Sequence, residues 1–279
     1  MSRARIFAFA GAAALLSTAA LGADLIPPPP LPPPLPAPIP VAINSGWYFR
    51  GYIGASNEFL SELTSPSFVG VPQFQFLDKG GFEAAPFGGG GFGYQWNNWF
   101  RVDATFEYRG AATFHALDSW FNQGLGRINT NNYTATKSEL VGLINGYLDL
   151  GTWACVTPFI GAGVGFANIR IDHFRDLNVE AGGGGWAEAS TKTNFAWALT
   201  AGLAYKVTPN FAVELSYRYL NVGNAATGIL INDAPQQSPN DLPITFNKIQ
   251  SHDIMLGVRW MLQPEAPAPL YPPPLMRKG

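Results

Sequence analysis

Every second residue from Arg101 to Arg109 is polar or charged (Arg101, Asp103, Thr105, Glu107, Arg109), while the residues between and before them are Phe100, Val102, Ala104, Phe106 and Tyr108. Two environments meet across one segment with the period of an extended chain, not of a helix. The pattern returns at Phe211–Leu220, where Phe211, Val213, Leu215, Tyr217 and Tyr219 alternate with Ala212, Glu214, Ser216 and Arg218. A strand crossing an outer membrane needs this over about ten residues, with one face in lipid and the other in a polar barrel interior. Soluble barrels and sandwiches also alternate, with their apolar face inward, so the pattern needs a second witness.

The beginning of the chain supplies it. Arg3 and Arg5 precede an uncharged run from Ile6 to Leu16, followed by small residues from Ser17 to Ala23. This is the layout of a secretory signal peptide, read here as residues 1–23. Ala20-Leu21-Gly22 fits the cleavage rule best, with cleavage after Ala23 the near alternative. A membrane anchor built from the same residues would have an unusually short apolar core. No later apolar run reaches 18 residues, so no transmembrane helix is expected. Charged residues are 13% of the chain, about half the usual share, and aromatics reach 14%. A net charge of −2 argues against a nucleic-acid partner.

Proline marks off two tails. Ten of the 14 residues from Pro27 to Pro40 are proline, as are six of the 16 from Pro264 to Gly279. Such stretches form neither ladders nor helices. The expected organisation is therefore a proline-rich periplasmic segment (24–45), a barrel (46–262) and a proline-rich C-terminal tail (263–279). Eight strands are expected in the barrel: Gly46–Ala55, Phe87–Trp96, Trp99–Gly110, Ser138–Leu150, Thr157–Ala167, Asn194–Val207, Phe211–Leu220 and Ile249–Leu262. Short connections (Asn97-Asn98, Gly151–Val156, Thr208–Asn210) alternate with long ones of roughly 25 to 30 residues, as periplasmic turns and extracellular loops do. The expected fold is thus all-β: a transmembrane antiparallel up-and-down barrel.

Trp47, Trp96, Trp99, Trp153 and Trp260 all fall beside the short connections, the arrangement of a periplasmic aromatic girdle. The polar phase of the strands collects Arg50, Arg101, Arg109, Lys206, Arg218 and Arg259 against Asp103, Glu107, Glu139, Asp149, Glu214 and Asp253. Eight strands enclose only enough room for side chains, and charges taken out of water must be paired. The twelve are therefore read as an internal ion-pair network, in preference to a selectivity ring in an open channel. Two strands, with FGGGGFG (Phe87–Gly93) and FIGAGVGF (Phe159–Phe166), show no face preference; their glycines suit close approach by large neighbours.

DLGTW (Asp149–Trp153), TPFIGAGVGFA (Thr157–Ala167), FAWALTAGLAYKVTPN (Phe195–Asn210), VELSYRYLN (Val213–Asn221) and the closing HDIMLGVRWML (His252–Leu262) resemble, in order and separation, the small outer-membrane surface antigens of alphaproteobacteria, relatives of OmpA-like and opacity-type eight-stranded barrels. The resemblance covers about Trp47 to Leu262. It implies an outer-membrane barrel with structural and surface-contact roles and no catalytic chemistry. The two proline tails depart from the family pattern.

Expected partners are outer-membrane lipid and lipopolysaccharide, the barrel assembly machinery and, through the tails, peptidoglycan. A contribution to envelope integrity is the first reading of function. The others are a passive diffusion porin and a surface adhesin or haem-binding protein, the last resting on loop length and on His173 beside Phe174. His115, His173 and His252 fall in or near the outer connections with no spacing that assembles a Ser-His-carboxylate centre, so no catalysis, metal or cofactor is expected. Cys155, the sole cysteine, cannot form an internal disulfide. Gly182–Gly185 lacks the strand-to-helix context and following Lys-Ser/Thr of a phosphate loop.

Overall fold

The computed structural model describes residues 45–178, 180, 182–233 and 242–262. The signal peptide, both proline tails and all of segment 24–45 except Ser45 lie outside the described residues. The strands are β1 (Gly46–Phe59), β2 (Glu62–Thr64), β3 (Gln75–Gln95), β4 (Phe100–Asn122), β5 (Arg127–Asp149), β6 (Val156–Asn178), β7 (Gly183–Ala187), β8 (Ser190–Lys206), β9 (Phe211–Ala226), β10 (Leu230–Asn232) and β11 (Thr245–Met261). Eight of them form an antiparallel ring in chain order, β1-β3-β4-β5-β6-β8-β9-β11. It closes where β11 returns to β1, from Tyr48 opposite Met261 to Phe59 opposite Gln250. Closure leaves no sheet edge in lipid, where an unpaired backbone group would go unsatisfied. The three short strands lie at the outer end: β7 on β6, β10 on β7, and β2 on β11.

The short turns follow from their residues. In the β3–β4 connection the Asn97 side chain accepts from the backbone N–H groups of Trp99 and Phe100, at 2.9 and 2.8 Å. In the β8–β9 connection Thr208 Oγ1 accepts from Phe211 N–H at 3.0 Å. Asn and Thr make such local bonds readily, which stabilises tight reversals.

The long outer connections carry more structure than the alternation announces. β4 and β5 each run 23 residues and meet in a turn of residues 123–126. Ala111–Lys137, read from sequence as a loop, is therefore mostly strand. On β5 the outward residues change at Leu140 from Leu and Ile (Leu148, Ile144, Leu140) to Ser, Thr and Asn (Ser138, Thr136, Thr134, Asn132, Thr130), while Tyr133 and Ala135 turn inward and are buried. Below this level apolar side chains face lipid. Above it they face the inside, as in a sheet standing in water.

Several strands cross the boundary with an irregularity. Between Arg109 and Ala112 of β4 two residues stand opposite one of β5, a β-bulge at Gly110-Ala111, so the inward set passes from odd numbers (Arg101 to Arg109) to even ones (Ala112, Phe114, Ala116). β6 shifts at His173 (φ 51°) and β11 near Lys248 (φ 50°). Pro86, just before the strand expected from Phe87, lies within β3, where pairing with β4 lapses between Phe82 and Phe87.

Candidate functional site

The barrel interior is layered. At the periplasmic mouth a vestibule of about 350 Å³ is lined by Gln95, Asp149, Lys206 and Arg259 among others. Above it lie buried charges. Arg50 donates to Asp103 (3.1 Å), Glu214 (3.2 Å) and the Tyr147 hydroxyl (2.5 Å). Arg101 donates to Asp149 at 3.2 Å, with its guanidinium 4.1 Å from the Tyr147 ring centre. Arg259 donates to Glu214 at 2.9 Å and to Gln95 at 2.7 Å.

A second group sits higher. Glu107 accepts from both terminal nitrogens of Arg218 (2.8 and 2.7 Å), from Arg109 Nε (3.0 Å) and from the Tyr52 hydroxyl (2.9 Å). Asp253 joins Arg109 to Arg218. Lys137 pairs with Glu58 and with Glu139, each also within reach of Arg109, at 3.4 and 3.7 Å.

Eleven of the twelve charges expected inside are buried in these groups. Lys206 is the correction. It occupies the inward phase, but as the last residue of β8, where the barrel opens to water, it is half-buried in the vestibule wall and makes no ion pair among the described residues. Its place is taken by Lys137, and Glu58 adds an anion, so these two groups hold six cations against seven anions, with Asp118 buried apart from them further out. Neither falls within a strand that the alternation marks out.

Room for the large ring-bearing side chains comes from the glycine-rich strands. A Cβ on Gly93 would stand 2.6 Å from the Tyr48 ring, and one on Gly89 would stand 2.9 Å from the Tyr52 ring. A Cβ there would also press on β4 carbonyls, that of Val102 and, at 2.6 Å, that of Phe106, so only glycine lets β4 and the crossing tyrosines approach this closely.

The charges are capped on the outer side by an apolar layer. Phe82, Phe114 and Phe246 pack with ring centres 5.0 to 5.8 Å apart, with Leu63, Ile169, Ile171, Leu220 and Ile249 around them. Beyond lies a polar cluster, where Asp118 accepts from the Tyr133 hydroxyl at 2.5 Å and from the Asn131 backbone N–H at 3.1 Å. Burial raises the Asp118 carboxyl above its usual range, and it raises the Tyr133 phenol likewise.

Outside the ring, the five tryptophans beside the short turns are each between 49% and 64% exposed. Phe59, Tyr108, Phe166, Phe195 and Tyr217 are exposed at the other end of the apolar belt, where no girdle was read from the sequence. The separation of these aromatics by the span from Phe100 to Tyr108 suits a strand crossing of about nine to eleven residues.

No catalytic centre is assembled from the histidines. His252 hydrogen-bonds Tyr217 on the outer wall, His173 lies beside Asp172, and His115 is 3.9 Å from Glu83. His173 is exposed while Phe174 is buried, so the two do not share a face. Among the described residues no cluster of three or more His, Cys, Asp or Glu side chains is arranged to hold a metal.

A closed antiparallel ring of eight strands, apolar outside and charged within, defines a transmembrane β-barrel of the bacterial outer membrane. The chain belongs to the outer membrane protein beta-barrel domain family, whose model matches residues 41–261. An uncharacterized protein of Brucella abortus (strain 2308) is 28% identical over 248 residues, 77% of this chain and 84% of the relative. Outer membrane protein PagN of Salmonella typhimurium is 31% identical over 135 residues, 48% of this chain and 52% of PagN. A putative adhesin of Rickettsia canadensis is 26% identical over 171 residues, 61% and 71% of the two chains. Among solved structures, Neisserial surface protein A matches 78% of this chain and 98% of its own at 16% identity, with a TM-score of 0.42.

Proposed function

We propose that this protein is a structural outer-membrane barrel and surface antigen with a sealed interior, non-catalytic, and contributing to envelope integrity. The supporting observation is that two side-chain layers stand in series across the lumen: the ion pairs around Arg109 and Arg218, and the Phe82-Phe114-Phe246 layer. A solute crossing the barrel would have to part both. Pulling apart a buried, paired charge costs several kcal/mol, which is far above thermal energy. The porin reading is separated by conductance: reconstituted protein should give no channel steps in planar bilayers and no swelling of sugar-loaded liposomes. Steps of reproducible size would overturn the sealed reading.

Surface adhesion is a second reading, favoured by the strand extensions beyond the lipid belt and by the adhesin names of the Rickettsia relatives. Bacteria displaying the protein should adhere to immobilised host matrix more than bacteria displaying a version with residues 123–126 replaced by Gly-Ser. Equal adherence would dismiss it. In the same reading the barrel contacts lipopolysaccharide through its belt, is inserted by the barrel assembly machinery, and reaches peptidoglycan through its proline tails. Co-sedimentation with purified peptidoglycan, lost on deleting 27–40 and 264–279, tests the last point.

A further inference from the structure

A cavity of about 340 Å³ lies at the outer end of the barrel, beyond the apolar layer. Its aromatic wall comes from the segment between β2 and β3, where Phe68 and Phe74 stack with ring centres 4.6 Å apart, and from Tyr133 of β5, 6.5 Å from Phe68. Its polar wall comes from Asp118 and Trp120 of β4 and from Asp176 of β6.

The polar atoms in that wall are unequal. Asp118 is satisfied by Tyr133 and Asn131. Among the described residues, Asp176 Oδ1 is buried and accepts no hydrogen bond, and the Trp120 indole N–H is buried and donates none. Buried polar groups without partners are rare, and each calls for an explanation. Here one is an acceptor that carries charge and the other a neutral donor, and both line the same cavity. Among the described residues, no cationic side chain lines it. Asp233 stands near Asp176 but is paired with Arg175, at 3.3 Å, on the exposed outer surface. An anionic recess walled by aromatic faces attracts a cation twice, through the carboxylate and through the ring quadrupoles.

We propose that this cavity binds a small organic cation with an apolar body, its ammonium donating to Asp176 Oδ1, its body lying against Phe68 and Phe74, and an acceptor atom meeting the Trp120 N–H. The volume is at the lower end of that of small-molecule sites, which suits a single-ring amine. The groups facing Asp176 are Asp118 from β4, Tyr133 from β5 and Asp233 after β10. Burial and the two aspartates push the Asp176 carboxyl up to about 7. Ammonium binding then strengthens as pH rises from 6 to 8.

The probe is tyramine, titrated calorimetrically into refolded full-length protein in detergent, with micelle-only heats subtracted. 4-Ethylphenol, which lacks the amine, and 4-hydroxyphenylacetate, which reverses the charge, are the comparisons. Tyramine should bind at least tenfold more tightly than either. Asp176→Asn should remove that preference, and Trp120→Phe should weaken tyramine about three- to tenfold, with the heat-dependent electrophoretic shift of the barrel intact. If Asp176→Asn fails to fold, the loss of preference at pH 5.5 in the wild type makes the same test. Absence of tyramine binding, equal affinity for amine and neutral phenol, or a preference that survives both Asp176→Asn and pH 5.5 would each overturn the proposal. Because the readout is binding and not conductance, its failure leaves the sealed-barrel reading untouched.

Discussion

Glu107 draws hydrogen bonds from three strands, through Tyr52 of β1, Arg109 of β4 and Arg218 of β9. Replacing it with Lys would set a third cation against Arg109 and Arg218, each of which keeps Asp253 but loses a buried partner. A loss of about 3 to 5 kcal/mol is expected, since removing one partner of a buried pair strands the other. The measurement is the urea midpoint of the barrel in lipid vesicles; an unchanged midpoint would mean that Glu107 is not enclosed. Lys137 gives a complementary case. Lys137→Met leaves Glu58 and Glu139 together with only Arg109 between them, and should destabilise by a similar ~3 kcal/mol. Adding Glu58→Gln removes one of the two anions then in excess, so the double variant should be more stable than Lys137→Met alone. A double variant no better than the single one would show that the two carboxylates do not share the lysine.

Asp176 carries a pH prediction of the opposite sense from most carboxylates. Its pKa of about 7 in the folded chain lies above the ordinary value near 3.9. Between those values the folded state keeps a proton that the unfolded chain has released, so stability falls as pH rises through this window and the full penalty applies above it. Amide exchange around Asp176 and β7, corrected for intrinsic chemistry, should be slower at pH 5.5 than at pH 8. Asp176→Asn should abolish the difference; a difference that persists assigns the effect to another group.

At the level of the strand, the bulge at Gly110-Ala111 changes which parity of residue number faces inward while each residue keeps its proper environment. Deleting Ala111 should therefore remove the extra residue and still leave Arg109 and Ala112 inside, with the heat-shift of the folded barrel retained. Deleting Ala104 should be far worse, because a one-residue slip carries half a strand of charges to the lipid face. Equal damage from the two deletions would show that the bulge does not absorb the offset. The same feature explains what could be read from the chain alone. Eight crossings, their order and most of the inward charges are legible because lipid and lumen impose one alternation from Arg101 to Arg109 and from Phe211 to Leu220. Past Gly110 the alternation breaks at a bulge and resumes with its apolar face turned inward, as Ala112, Phe114 and Ala116, so it reads as a loop. Lys137 and Glu58 keep the inward parity of β5 and β1, but their outward neighbours there are polar (Thr136 and Ser138, Asn57), so no alternation of apolar with charged residues marks them. Lys206 has the right parity, but parity carries no information about depth, and its position is at the mouth. The outer cavity joins Phe68, Trp120 and Asp176 from distant parts of the chain, and no local pattern announces such a meeting.

For the molecule as a whole, the described pairing that closes the ring lies between Gly46 and Leu262, whose N–H donates to Trp47 O at 2.9 Å. Deleting 27–40 and 264–279 together should leave the heat-shift and the urea midpoint of the barrel unchanged, as measured by electrophoresis and tryptophan fluorescence. A lower midpoint would assign the tails a part in holding the barrel. The reach of the sheet beyond lipid has a consequence of its own. β5 leaves the apolar belt near Leu140 and turns only at Arg127, and at ~3.4 Å per residue and a tilt near ~40° the paired strands gain a stand-off on the order of 30 Å. The tip is thus carried clear of the lipid headgroups by a ladder paired without a break from Ala112 opposite Lys137 to Asn122 opposite Arg127. Among the described residues, the surface held out there is the turn Gly124-Leu125-Gly126 with Glu180 beside it, bonded to Arg127 and Thr130, and it presents itself far from the belt that holds the protein in place.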